Sequence, residues 1–307
     1  MNPINLFLFL SICLLSQLAH SSEHLSDHEQ YCLNFTSENC LDLINTQLTA
    51  QTLYSKSWYK LKSIQLDYIY DIADYSELIT QIEPLIDLPS APTVFRTQLY
   101  FYYAKALNSK GDKVNAKIYA DKAIAKLENM YEAFESPYRL LELANLHYVF
   151  GDRKRSYSLL LHVGNRFAKS KDAIFHFELN SNKANIFYVW DELDKSLKYR
   201  LLALYAIENT EHNSKIVVAS GNVARTYQLL GQYESAIKHY TDSFGFMQFP
   251  KHNSSKAVYT LRLAELNWQS GNVGQAASLL AKVQTEGLKP GHLSLYNQLK
   301  TELMTNE

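Results

Sequence analysis

The sequence predicts an all-α fold, an α-solenoid of antiparallel helix hairpins. Three observations predict it: short turns recur every 40 residues, small residues stand at fixed positions around each turn, and turn-forming residues are scarce. Only ten of the 307 residues are glycine and seven are proline, and the abundant leucine, alanine and tyrosine favour helices over many short strands. Because no single hairpin can bury its apolar face alone, the repetition predicts stacked hairpins.

Five predicted turns keep one register, without insertion or deletion between them. They are Gly111-Asp112, Gly151-Asp152, Asp191-Glu192, Gly231-Gln232 and Gly271-Asn272. Glycine opens four of the five turns. We expect glycine here because the turn between two helices needs a residue that accepts a positive φ.

Small residues flank each turn at constant distances. Seven positions before the turns stand Ala104, Ala144, Ala184, Ala224 and Ala264, and five positions after them stand Ala116, Ser156, Ser196, Ala236 and Ala276. Small side chains on both helices predict that the helix axes approach to about 8–9 Å. Residues nine and twelve positions after the turn are predicted to fill space against the next hairpin.

One unit resembles a tetratricopeptide repeat nearly throughout. The matching residues are Ala224 and Ala236 at the small positions, Gly231 and Tyr233 at the turn, and Tyr240 at the aromatic position of the second helix. The resemblance implies a right-handed superhelix in which the first helices of successive hairpins line a concave groove. The unit is longer than the usual repeat of about 34 residues, and we assign the extra length to about 0.8 turn on each helix. The Asp191 unit departs furthest, with Ser196 and Arg200 where alanine and an aromatic residue are usual.

Six such repeats are predicted over residues 58–285. The first has a turn and second helix at Ala73–Leu78, with Leu66 in place of the small alanine, and ends at the prolines of Leu88–Pro92. Residues 22–57 are predicted to be an N-terminal capping segment. Residues 286–307 are predicted to be a C-terminal capping helix, because Gly287–Gly291 interrupts the chain before the amphipathic stretch His292–Met304.

Residues 1–21 are predicted to be a signal peptide. The apolar run Leu6–Leu15 is too short to span a bilayer, and the small residues Ala19 and Ser21 follow it. The alternative is a buried N-terminal helix, since no basic side chain precedes the run. We expect an exported chain, periplasmic or secreted, that does not span the membrane after cleavage; retention of the segment as an anchor stays open.

A disulfide between Cys32 and Cys40 is predicted in the capping segment. On one continuous helix these residues would lie about 12 Å apart, too far for a bridge, so the pairing requires a turn over residues 34–39. The alternative is two small buried thiols. Cys13 lies inside the apolar run, where a lipoprotein cysteine is not expected.

Several classes of function are disfavoured. Thirty basic and 31 acidic residues leave almost no net charge, which argues against nucleic acid or an anionic membrane as partner. The sequence contains no phosphate-binding loop, no Gly-x-Ser-x-Gly elbow and no His-Glu-x-x-His motif, so we expect no enzyme and no cofactor. His24 and His28 have the spacing of a metal pair on a helix, but they lie near the predicted cleavage point, and no metal site is expected.

The predicted binding surface lies on the first helices, where the resemblance places the groove. Asparagine amides both donate and accept hydrogen bonds, so they suit the backbone of an extended peptide, and tyrosine, tryptophan and arginine are enriched at binding hot spots. The candidates are Asn145, Tyr148, Asn182, Asn185, Tyr188, Asn222, Arg225 and Trp268. The alternative is that these are ordinary solvated or inter-helix polar residues.

The sequence therefore predicts an exported, non-enzymatic scaffold or adaptor that binds a peptide or protein in a concave groove. The alternative is a periplasmic sensory or regulatory subunit that works with a separate signalling protein, such as a kinase or a diguanylate cyclase. The sequence does not predict the oligomeric state.

Overall fold

The computed structural model describes residues 37–71, 74–129, 137–248, 252–286 and 288–305, which form fourteen α-helices and no strand. The helices are α1 (Ser37–Thr49), α2 (Lys56–Asp71), α3 (Tyr75–Ile82), α4 (Thr93–Lys110), α5 (Lys113–Glu128), α6 (Pro137–Phe150), α7 (Arg153–Arg166), α8 (Ala173–Val189), α9 (Leu193–Ile207), α10 (Asn213–Leu229), α11 (Tyr233–Ser243), α12 (Asn253–Gln269), α13 (Val273–Leu280) and α14 (Pro290–Met304). Short 3₁₀ turns, Glu83–Leu85 and Phe244–Phe246, follow α3 and α11.

Six consecutive hairpins run from α2/α3 to α12/α13. Each helix makes its main contacts with helices that are adjacent to it along the chain or separated from it by one helix. The first helices α6 and α8 contact each other, as do α10 and α12, whereas α8 and α10 make few contacts and α9 packs extensively against both. The described part of the chain is therefore an all-α solenoid.

The small positions around the turns bring the two helices of each hairpin together. All five alanines before the turns and all five small residues after them are buried. Where the second residue is serine, its hydroxyl also bonds across the hairpin: Ser156 Oγ donates to the carbonyl of Ala144 at 2.7 Å, and Ser196 Oγ to that of Ala184 at 3.0 Å. The two helices are therefore in direct contact at these positions.

Four of the five turns have a left-handed residue, as predicted, but the prediction is wrong at Gly151. Gly111, Gly231 and Gly271 have φ values of 91°, 73° and 78°, and Asp191 has 59°. Aspartate tolerates this conformation better than most residues. Gly151 does not have a positive φ; its N–H bonds to the carbonyl of His147, four residues earlier, so the chain ends α6 without a left-handed residue.

The assignment of the extra repeat length to both helices is wrong in the last two hairpins. Their first helices have 17 residues each, but α11 has 11 and α13 has eight. At the end of α11, Ser243 Oγ donates to the carbonyl of Tyr240 at 2.6 Å. This side-chain bond competes with the helical pattern, and the chain continues as a 3₁₀ turn.

Both ends of the described chain are helical. In α14, Leu299 and Leu303 pack in one buried cluster with Leu261 and Leu280, and the helix starts earlier than predicted because Pro290 occupies its first turn. Helix α1 lies within the predicted N-terminal capping segment. The predicted signal peptide, Cys32 and the His24/His28 pair lie outside the described residues.

No helix in the described ranges combines the length and the apolar character needed to cross a membrane.

Two hairpins approach each other closely at Gly221 on α10. A Cβ atom at this position would lie 2.0 Å from Oη and 2.3 Å from Cζ of Tyr259 on α12. The same hydroxyl donates to the carbonyl of Val217 at 2.8 Å, which fixes the ring over the glycine. Only glycine therefore fits between these two helices.

We predict that Gly221→Ala destabilises the array. The methyl group would displace Tyr259, and overpacking of this kind costs about 1–3 kcal/mol, which exceeds the roughly 1 kcal/mol that alanine gains over glycine in a helix. Chemical denaturation should therefore show a net loss in the free energy of unfolding. Gly274→Ala on α13 is the matched control, because nothing lies within 4 Å of the added Cβ; equal effects of the two substitutions would contradict the prediction.

Candidate functional site

The eight predicted binding residues all lie on the first helices α6, α8, α10 and α12. We call the side-chain surface of α4, α6, α8, α10 and α12 the first-helix surface. The structure separates the predicted residues by what their polar groups already contact.

Two of the predicted asparagines belong to a hydrogen-bonded ladder. Lys105 Nζ on α4 donates to Asn145 Oδ1 at 2.8 Å, and Asn145 Nδ2 donates to Asn182 Oδ1 at 3.1 Å. Asn182 is buried, and its own Nδ2 donates to the carbonyl of Glu178 one turn earlier. The ladder thus links three first helices, and both amides are engaged within the array, which is the inter-helix alternative stated for these positions.

Burial lowers the pKa of Lys105, the lysine that begins the ladder. Desolvation lowers the pKa of Lys105 from 10.5 to about 8, against the opposing effect of the Glu178 carboxylate. The lysine is therefore protonated at neutral pH, but with a reduced preference for its charged form.

The other two predicted asparagines are available. Asn185 on α8 is partly buried and Asn222 on α10 is exposed. Neither amide forms a hydrogen bond with another residue in the part of the chain that the structure describes. Together with Ser181 and Arg200 they line a small cleft between α8 and α10, where the two first helices make few contacts.

Arg200 is the central residue of this cleft. It comes from the second helix α9 but reaches between the two first helices, where it is only 8 % exposed. One terminal nitrogen, Nη1, donates to the carbonyl of Asn222 at 2.7 Å and to the hydroxyl of Thr226. The guanidinium carbon lies 4.9 Å from the centroid of the Tyr188 ring, which is 38 % exposed. An arginine and an aromatic ring at this distance attract each other.

No carboxylate among the described residues forms an ion pair with Arg200. Desolvation lowers the pKa of Arg200, while Tyr188 and Tyr148 oppose that effect and Arg225 adds to it. The buried Nε atom has no hydrogen-bond partner. The guanidinium nevertheless stays protonated, since arginine is not deprotonated in proteins at ordinary pH.

Three predicted residues remain. Tyr148 and Arg225 lie close enough to influence the pKa of Arg200. Arg225 Nη1 also donates to Gln228 Oε1 at 2.9 Å and lies 3.9 Å from Glu265 Oε2. Trp268 packs against the apolar cluster at the C-terminal end, with Leu261 and Leu280, and the contacts of the structure do not join it to the Arg200 cleft.

The described residues contain no group of three or more histidine, cysteine, aspartate or glutamate side chains placed to hold a metal ion.

Comparisons with known proteins identify the fold. No family model and no curated protein matches the sequence. Among solved structures, the chain is similar to a Rap protein complexed with competence and sporulation factor, with a TM-score of 0.60 and 14% identity over 87% of this chain and 74% of that one. It is also similar to NprR in complex with its cognate peptide NprX, with a TM-score of 0.56 and 11% identity over 87% of this chain and 76% of that one.

A third similar structure is a signal transduction ATPase from Pyrococcus horikoshii that has a tetratricopeptide repeat sensor. The TM-score is 0.52, with 15% identity over 87% of this chain, which spans 42% of that protein. The fold is a tetratricopeptide-like array. At these low identities the likeness shows the fold alone.

The predicted set of site residues missed Arg200, although the sequence carried a signal for it. In the tetratricopeptide pattern, the position nine residues after the turn normally holds a space-filling side chain, and four repeats have Ala120, Leu160, Tyr240 and Leu280 there. All four are buried. A charged residue at a position that is otherwise apolar or aromatic indicates a role beyond stacking.

We predict that Lys105 makes the stability of the array depend on pH. Its pKa in the folded chain, about 8, is below its unfolded value of 10.5, so between these values the unfolded chain binds more protons and the free energy of unfolding rises with pH. Relative to Lys105→Met, the wild type should gain on the order of 1–2 kcal/mol as the pH rises from about 8 to about 10.

Chemical denaturation of both proteins across this pH range measures the effect. Titration of other residues contributes to both curves and cancels in the difference. A difference that stays constant with pH would show that Lys105 is not buried as its ladder contact requires.

Proposed function

We propose that this chain is a non-enzymatic binding module that holds a peptide, or an extended segment of a protein, along its first-helix surface. The observation that carries the proposal is the pair of unengaged amides, Asn185 and Asn222, which face one cleft on neighbouring first helices. Such amides can bond the backbone of an extended segment whatever its sequence. The partly exposed Tyr188 ring beside them offers flat apolar contact area.

The solved structures support the same proposal. The similar Rap and NprR structures are complexes, one with competence and sporulation factor and the other with the cognate peptide NprX. A tetratricopeptide-like array in complex with a peptide is the arrangement that we propose here. The proposal extends to a scaffold or adaptor role.

Export to the periplasm or the cell exterior is part of the proposal. Its support is the apolar run Leu6–Leu15 and the small residues that follow it. Mass spectrometry of the chain produced with its first 21 residues, in a host that secretes proteins, would detect cleavage near Ser21.

We predict that Asn185→Ala combined with Asn222→Ala abolishes peptide binding and leaves the melting temperature unchanged. These amides bond nothing described in the array, so their loss removes contacts to the peptide only. The measurement uses a panel of immobilised synthetic peptides of random sequence, scored for binding of the wild type and the double variant, together with thermal unfolding of both.

The matched control is Asn145→Ala combined with Asn182→Ala. It also removes two asparagine amides, but these two bond each other in the ladder. This variant should lower the melting temperature, because each lost inter-helix hydrogen bond costs about 0.5–1.5 kcal/mol. A second control removes the exposed ion pair of Lys238 and Asp242 on α11, which lies away from the first-helix surface. The proposal is wrong if no peptide binds the wild type, or if binding survives the Asn185 and Asn222 substitutions.

A further inference from the structure

We propose that the cleft at Arg200 binds a carboxylate of the peptide that lies on the first-helix surface. The inference rests on the proposed function and specifies the chemistry that the surface recognises. Its starting point is a buried cation to which the described part of the array supplies no counter-ion.

The hydrogen bonds of Arg200 leave one edge of the guanidinium unused. Nη1 has two donor hydrogens, and these meet the carbonyl of Asn222 and the hydroxyl of Thr226. Nε has no partner, and no described residue accepts a hydrogen bond from Nη2. The Nε and Nη2 hydrogens of an arginine point in parallel and match the two oxygens of a carboxylate, which is the geometry of a bidentate ion pair.

The surroundings of Arg200 favour an anion. Tyr188 packs on the guanidinium at 4.9 Å, which restricts the orientation of the guanidinium plane. Arg225 adds a second positive charge nearby, and its own carboxylate neighbour, Glu265, is 3.9 Å away and is shared with Arg262 at 2.7 Å. Ser181, Asn185 and Asn222 line the same cleft and supply neutral donors for the remaining lone pairs of a carboxylate.

Burial distinguishes Arg200 from the other described arginines. Arg96 also lacks an ion pair, but it is only partly buried and its Nη2 donates to three backbone carbonyls. Arg139 pairs with Glu142 at 2.7 Å, and Arg155 pairs with Glu128 at 2.7 Å. Both of these arginines are more exposed than Arg200. An arginine that is buried without a carboxylate pays the cost of desolvation without the compensating attraction, and a bound anion restores that attraction.

Two sources can supply the carboxylate: the C-terminus of a peptide, or an aspartate or glutamate side chain. The probe is four pools of short fluorescent peptides whose randomised positions exclude aspartate and glutamate. The pools combine a free or an amidated C-terminus with glutamate or glutamine at one central position. Binding of each pool is measured by fluorescence anisotropy with the wild type and with Arg200→Met.

The wild type is expected to bind at least one carboxylate-containing pool on the order of tenfold more tightly than the amidated glutamine pool. A preference that follows the C-terminus identifies a terminal carboxylate, and one that follows glutamate identifies a side chain. Arg200→Met should bind all four pools with equal affinity, whatever its affinity for the amidated glutamine pool. Arg200→Lys retains the charge but not the two parallel donors, so it should show a smaller preference than the wild type.

Arg155→Met is the matched control, because Arg155 also lies on a second helix but is already paired with Glu128. It should leave the preference unchanged. Equal binding of all four pools by the wild type would overturn the carboxylate site while leaving the peptide-binding surface intact. An unchanged preference in Arg200→Met would also overturn it, and absence of binding by every pool would overturn the proposed function together with this inference.

Discussion

The close approach of two helices in each hairpin is the constraint on which the rest of the structure depends. In five of the six hairpins it requires a buried small residue on both helices, at the alanine before the turn and at the alanine or serine after it; in the first hairpin Leu66 takes the alanine position. Where serine is used, its hydroxyl bonds the facing alanine carbonyl, so the polar atom satisfies a backbone group and does not separate the helices. A larger side chain at either position would force the axes apart and shift the surface that the first helices share.

That constraint also explains how side chains one repeat apart come to meet. Lys105 and Asn145 are 40 residues apart in sequence and bond directly, and Gln228 bonds Gln269 across 41 residues. Between α8 and α10 the arrangement differs, because a long charged side chain from α9 occupies the space between the two first helices. The cleft and the unengaged amides of Asn185 and Asn222 lie beside this side chain.

The positions of the hairpins could be predicted from the sequence because stacking imposes a strict period on small residues and turns. The backbone conformation of each turn could not, since it depends on local hydrogen bonds: Gly151 continues a helical bond although a positive φ was predicted there, whereas Asp191 takes the left-handed conformation without being glycine. For the candidate surface, the sequence could predict which positions lie on it, but not which of its side chains already bond their neighbours. Asn145 and Asn185 are equivalent in the repeat, but one amide bonds two neighbours and the other bonds none, because side chains bond only when the offset between adjacent helices brings them within about 3 Å. Arg200 was missed because the pattern describes its position as filler between hairpins.

The restriction of contacts to neighbouring helices has a mechanical consequence. Among the described helices, no contact joins one end of the array to the other. A small rotation at one interface is therefore carried along the chain and grows into a large displacement at the far end. At the interface between the fourth and fifth hairpins, α9 makes extensive contact with α10, whereas the first helices α8 and α10 make few contacts. A molecule bound between α8 and α10 would therefore change the angle between two hairpins that are joined through α9.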